Sequence, residues 1–176
     1  SSFLCPSPIS SKIAPGFFQV YPTMKHLAKA RPHEVRNRLM SVRDFNKKSE
    51  WLIRLSQIVG EDDRIPTTLE GLTQLPGIGR KSANMILRES ALPAEGVFVD
   101  LHVLRVAPRI GITKADAPEK VEQQLMETLP QQYWHDTGMA FSFLGREVCR
   151  PTRPKCSECV VNAVCDYFRK NVKGKQ

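Results

Sequence analysis

Four cysteines fall within seventeen residues, in the stretch GREVCRPTRPKCSECVVNAVC, at Cys149, Cys156, Cys159 and Cys165. This C-x6-C-x2-C-x5-C run constrains the fold more than any other feature, because the chain must return all four thiols to one place. Two disulfides here would close only small loops, whereas four thiolates can wrap a single metal centre. Zinc and a [4Fe-4S] cluster both accept four cysteines, and spacing alone leaves both open. The fifth cysteine, Cys5, has no partner at ligand spacing and is expected to be a buried small apolar residue. Clustered thiols without a charged-then-apolar leader point to metal rather than to a secreted disulfide scaffold. The chain opens at SSFLCPSP without Met, so a genuine start is expected to be missing. No apolar run approaches the length of a membrane span.

The rest of the chain reads as helices. At 176 residues, 41% hydrophobic and 25% charged, it can bury a substantial core, as one domain or two small ones. Trp51, Leu52, Leu55, Ile58 and Val59 mark one face of a helix that Gly60 would end. Thr67 with Glu70 makes a capping-box pair ahead of Leu69 and Leu72. Asp116, with Pro118 just inside and Glu119 three residues on, would start another helix bearing Val121, Leu125 and Leu129. Residues 32–42, 80–90, 101–110 and 133–147 also have helical spacing, and nothing alternates with period two for long. The fold class is all-α. In residues 7–20, Pro15-Gly16 should kink or split a helix. Tyr133 and Trp134 read as core.

Net charge is +8, and it is uneven: +7 over residues 1–58, −4 over 59–148 and +5 over 149–176. Basic ends around a milder middle suit a polyanion such as DNA, since each neutralised phosphate releases counterions. Arg150, Arg153 and Lys155 lie in the RPTRPK loop between the first two cysteines, where a metal would pin them as a phosphate-facing surface. The plainer alternative is a solvated loop with incidental charge.

In LPGIGRKSANMIL, residues 75–87, Gly77 and Gly79 allow positive φ and leave backbone N–H groups uncovered. Those groups, with the following helix N-terminus, make a concavity for a phosphate oxygen that would hold DNA without reading its sequence. Arg80 and Lys81 sit at the end of the helix whose dipole is already positive, so they cost stability unless they have a task. An amine in that field, partly desolvated, can act as a nucleophile and form a Schiff base; an ordinary solvated lysine is the alternative. Asp100 in VFVDLHVLRV is placed to cap the 101–110 helix, worth about 1 kcal/mol. The same carboxylate, facing a cleft, could also stabilise positive charge developing on a sugar. His102 either orients Asp100 or is a hydrogen-bonded structural residue.

LPGIGRKSAN, VDLHVLR, GREVC and the four-cysteine loop, taken in this order and spacing, resemble the endonuclease III family of helix–hairpin–helix DNA glycosylases. The resemblance covers residues 45–168 well and the first 44 loosely. It implies a two-lobed architecture: a helical barrel over 1–112, with the helix–hairpin–helix near 67–90, and a cysteine-cluster lobe over 113–176. It further implies a bifunctional base-excision enzyme that removes oxidised pyrimidines from damaged double-stranded DNA and nicks the strand by β-elimination. Lys81 matches the Schiff-base lysine and Asp100 the catalytic aspartate. The turn from Leu75 through Gly77 to Gly79, with Arg80, matches the element that grips a phosphate, often with an alkali cation. Cys149, Cys156, Cys159 and Cys165 match the [4Fe-4S] ligands, with zinc the runner-up. The expected setting is intracellular, in cytoplasm, nucleoid or nucleus, away from membranes, and the expected state a monomer.

Three departures cluster on the side that would read the lesion. Ser7 stands near the position of a gap-filling glutamine, Arg43-Asp44 replaces a glycine-containing turn, and Pro108 replaces a polar residue. They keep two alternatives in play: a divergent paralogue that binds DNA with weak or no catalysis, and a mismatch-thymine or monofunctional glycosylase of the same superfamily.

Overall fold

A computed structural model describes residues 8–171, so Cys5, Ser7 and the lysine-rich tail lie outside the described residues. Among these residues every regular element is a helix and no strand occurs, in accord with the 3.6-residue spacing. No helix among them is long and apolar enough to cross a membrane. Contacts gather the chain into two compact units, one ending at Ile78 and the other beginning at Gly79.

The first unit carries α1 (Pro8–Val20), α2 (Met24–Ala28), α3 (Pro32–Leu39), α4 (Phe45–Val59) and α5 (Leu69–Thr73). Helices α2 and α3 both pack on α4, and Phe17, Tyr21, Leu27, Val35, Leu39 and Ile53 form the core. Helix α1 runs through Pro15 without a break, so of the expected kink or split the split does not occur. Burying Phe17 from one continuous helix and Tyr21 just past its end, at about 1.5–3 kcal/mol for a large side chain, offsets the roughly 3 kcal/mol that an internal proline costs. The buried face of α4 carries Ser49, Ile53, Leu55, Ser56 and Val59, while Trp51 and Ile58 lie outside it. Gly60 ends α4 at φ 74°, as expected. The α5 cap is Thr68 rather than Thr67: its hydroxyl accepts from Gly71 N at 3.2 Å, three residues on, which Thr67 is one residue too early to reach.

The second unit carries α6 (Arg80–Glu89), α7 (Leu101–Ile110), α8 (Pro118–Thr128), α9 (Trp134–Glu147) and α10 (Asp166–Asn171). Helix α7 is central, with α8, α9 and α10 packed on it, and its Val103, Val106 and Ala107 are buried. Helix α9 approaches it through two glycines seven residues apart. A Cβ on Gly138 would strike the Phe98 carbonyl, and one on Gly145 would lie 2.7 Å from His102 Cβ. The cap of α8 is Ala117, not Asp116, because the residue before a proline at the first helical position takes the extended conformation of a cap. Tyr133 is 52% exposed rather than core. Trp134 is half-buried, its indole N–H donating to Leu129 O at 2.8 Å.

Candidate active site and thiol cluster

The segment before α7 is buried at Val97, Phe98 and Val99, and it delivers Asp100, in extended conformation, to the N-terminus of α7. Oδ1 of Asp100 accepts from His102 N at 2.8 Å and Val103 N at 2.9 Å, which is the expected cap. Its other oxygen, Oδ2, accepts from the Ser142 hydroxyl at 2.6 Å. Arg146 Nη2 stands 3.9 Å from Oδ2 and donates to Ser142 Oγ at 3.2 Å. The carboxylate is therefore oriented by a helix end on one side and by α9 on the other. His102 does not hold Asp100 through its ring, whose Nδ1 is 3.1 Å from Arg105 Nη2.

Lys81 lies in the first turn of α6, exposed, with Nζ 5.8 Å from the centre of the Phe98 ring. The preceding Arg80 is bidentate to Glu122, with Nε donating to Oε2 at 2.8 Å and Nη2 to Oε1 at 3.1 Å. This pairing holds the Arg80 guanidinium more firmly protonated than usual, with partial burial opposing the effect. Glu122 is buried and also accepts from Asn84 Nδ2 at 2.9 Å. A Cβ on Gly96 would collide with the Glu122 carboxylate, so the close approach requires glycine there.

Lys81, Asp100, Arg80, Gly79, Glu122 and Arg146 all line one open cavity of about 610 Å³. This brings four of the sequence-derived candidates to one surface: an exposed amine, a braced carboxylate and the cap of α6 with its salt-bridged arginine. Gly79 caps α6 in extended conformation, φ −91°, and not at the positive φ expected of it. Gly77 does take positive φ, 78°, in the first unit, where a Cβ would lie 2.6 Å from the Trp51 ring. Leu75 is buried there and accepts from Ile78 N at 3.1 Å, closing the tight turn.

The four thiols line a second, apolar cavity with Ile110, Leu144, Val148, Pro154, Tyr167 and Phe168. Burial pushes the Cys156 thiol up, and Cys149, Cys165 and Cys159 add to the effect. Among the described residues no three His, Cys, Asp or Glu side chains are drawn together so as to hold a single metal ion. Arg109 braces the loop by donating to Arg150 O at 2.8 Å, Pro151 O at 3.1 Å and Cys149 Sγ at 3.5 Å, with its guanidinium 4.7 Å from the Tyr167 ring. Arg105, one turn earlier, donates to Cys149 O at 3.0 Å and Gly145 O at 2.8 Å. Arg150, Arg153 and Lys155 are exposed on this loop. Arg153 takes φ 48°, and Lys155 pairs with Glu158 at 3.7 Å.

Glu122, Ser142, Arg146, Arg105 and Arg109 escaped the sequence reading. For Ser142 a signal existed: Gly138, Ser142 and Gly145 recur at i, i+4 and i+7, a small-residue face. For the two arginines it was their four-residue spacing on α7.

Residues 9–131 match the family of HhH-GPD superfamily base excision DNA repair proteins. Endonuclease III of Thermotoga maritima is 33% identical over 168 residues, 94% of this chain and 78% of that protein. Endonuclease III of Synechocystis is 34% identical over 157 residues, covering 88% of this chain and 72% of that one. Among solved structures, a trapped endonuclease III–DNA covalent intermediate superposes with a TM-score of 0.83 at 26% identity, covering 94% of this chain and 79% of that chain.

Proposed function

The chain belongs to the HhH-GPD superfamily of base excision DNA repair proteins, and from that premise we propose that it is a bifunctional DNA glycosylase and abasic-site lyase acting as a monomer on damaged duplex DNA. The observation that carries this reading is the convergence of the Lys81 amine and the braced Asp100 carboxylate on one open cavity. The preferred lesions are oxidised pyrimidines, by likeness to its endonuclease III relatives.

The target nucleotide leaves the stack, at a cost of a few kcal/mol that damage lowers. The Lys81 Nζ lone pair forms a bond to C1′ of the sugar. The glycosidic bond breaks, its electron pair leaving with the base, which takes up a proton. The sugar ring opens as the C1′–O4′ bond breaks and O4′ takes up a proton, which gives a protonated imine at C1′ and makes the C2′ proton acidic. Its removal expels the 3′ phosphate, and water then hydrolyses the imine and frees the amine. Asp100 supplies fixed negative charge opposite the cationic sugar. By likeness to the family, the turn from Leu75 to Gly79 grips a phosphate, with an alkali cation bound at the turn; within the second unit, the N–H groups opening α6 offer backbone donors to a phosphate oxygen. Arg150, Arg153 and Lys155 add phosphate contacts.

Cys149, Cys156, Cys159 and Cys165 would hold a [4Fe-4S] cluster, which supplies structural cross-linking of the loop. A donor set of thiols alone in an apolar pocket supports this. Zinc, which also accepts four thiolates, is the runner-up.

A gel assay on duplex containing thymine glycol tests the function. Wild type is expected to release the base and nick the strand, and Lys81→Gln to lose both with binding retained. Release without nicking by wild type would point to a monofunctional enzyme, and neither activity to a binding module.

A further inference from the structure

Ser142 lies on the inner face of α9 between Gly138 and Gly145 and is fully buried. Its hydroxyl has two partners of opposite charge: it donates to Asp100 Oδ2 at 2.6 Å and accepts from Arg146 Nη2 at 3.2 Å. Arg146 Nη2 stands 3.9 Å from Asp100 Oδ2, within ion-pair range but beyond a hydrogen bond, and its guanidinium lies 5.5 Å from the Phe143 ring. A hydroxyl is neutral and can relay between the two groups without cancelling either. A direct, charge-assisted Arg146–Asp100 hydrogen bond would be shorter and stronger than this loose ion pair, and would bring the positive charge closer to the carboxylate.

We propose that Ser142 is a positioning residue that holds Arg146 in a loose ion pair and out of direct hydrogen-bonded contact with Asp100, so that the carboxylate's field is less offset at the cationic sugar. This rests on the Lys81–Asp100 reading above. With two backbone N–H groups on Oδ1 and one hydroxyl on Oδ2, the carboxylate is fixed in orientation. Without the hydroxyl, Arg146 needs to advance less than 1.5 Å to reach ordinary charge-assisted contact at about 2.7–2.9 Å. It would then satisfy Oδ2 and oppose the charge that base departure needs.

The test measures single-turnover excision of thymine glycol for wild type, Ser142→Ala, Arg146→Met and the double variant, with melting temperature and affinity for duplex carrying a tetrahydrofuran abasic analogue. Ser142→Ala is expected to slow excision about tenfold or more, the scale of one hydrogen bond to a charged group, with analogue affinity changed less than twofold. Arg146→Met in the Ser142→Ala background is expected to restore part of that rate, so that the double variant is faster than Ser142→Ala alone. Excision unchanged in Ser142→Ala would overturn the proposal. So would a loss that the second substitution does not relieve, since that is the signature of a packing role alone. Asp100→Asn separates this from the underlying reading: if it excises as fast as wild type, the Lys81–Asp100 reading itself falls. If it is inactive while Ser142→Ala matches wild type, only the role of Ser142 falls.

Discussion

Gly96 leaves room for the Glu122 carboxylate, which lines the cavity shared by Lys81 and Asp100, and a methyl group there would have to displace buried, hydrogen-bonded side chains. It would overlap Glu122 Oε1 and lie 2.9 Å from both ends of the Asn84 amide. Gly96→Ala is therefore expected to lose about 1–3 kcal/mol, the usual scale of overpacking, by urea denaturation. It should also slow excision, because Glu122 holds Arg80 directly beside Lys81. Asp44 presents the opposite case. It stands at φ 57° at the start of α4, where relatives are expected to have a glycine-containing turn, and aspartate tolerates that conformation less well than glycine. Asp44→Gly is expected to leave stability unchanged or raise it by about 0.5 kcal/mol after the entropy glycine adds to the unfolded chain. A loss above 1 kcal/mol would mean that the Asp44 side chain contributes something its pairing with Arg43 at 3.5 Å does not reveal.

Helix α7 links the two cavities of the second unit. Asp100 caps its first turn, and Arg105 and Arg109, one turn apart, fasten the cysteine loop beside its later turns. Arg109→Met, which keeps much of the side chain's length and removes its donors, is expected to lower the iron retained by the proposed [4Fe-4S] cluster below about four per chain. It should also speed iron loss to a chelator and cost about 1–2 kcal/mol of thermal stability; unchanged iron retention would count against the brace. The bounds of α7 were legible in the sequence because its signals are local: an aspartate cap, apolar positions at i, i+3 and i+4, and Gly111 at φ 104° just beyond its end. The cap of α8 and the continuity of α1 were misread because a local proline rule competed with another demand, a proline-specific cap in one and core burial in the other. Glu122 was not legible at all. In KVEQQL it looks like one more solvated charge, and its partner Arg80 lies 42 residues away in the sequence. Ser142 was partly legible, since a small-residue face announces close packing but not that a hydroxyl on it will meet a carboxylate.

Across the whole molecule the charge is positive at both ends of the sequence and negative between, +8 in total. Duplex affinity should therefore fall steeply with salt, about 0.9 in log K per log salt for each phosphate contacted. Replacing Arg150, Arg153 and Lys155 together with alanine is expected to flatten that slope by about 2–3 without changing lesion preference; an unaltered slope would remove this loop from the DNA contact. The account as a whole depends on a covalent bond between one amine and deoxyribose. The most direct measurement is borohydride reduction of the protein on abasic-site duplex, followed by peptide mass spectrometry of the trapped complex. The account predicts a single adduct on Lys81, absent from Lys81→Gln; an adduct on another amine, or none from wild-type protein, would contradict it.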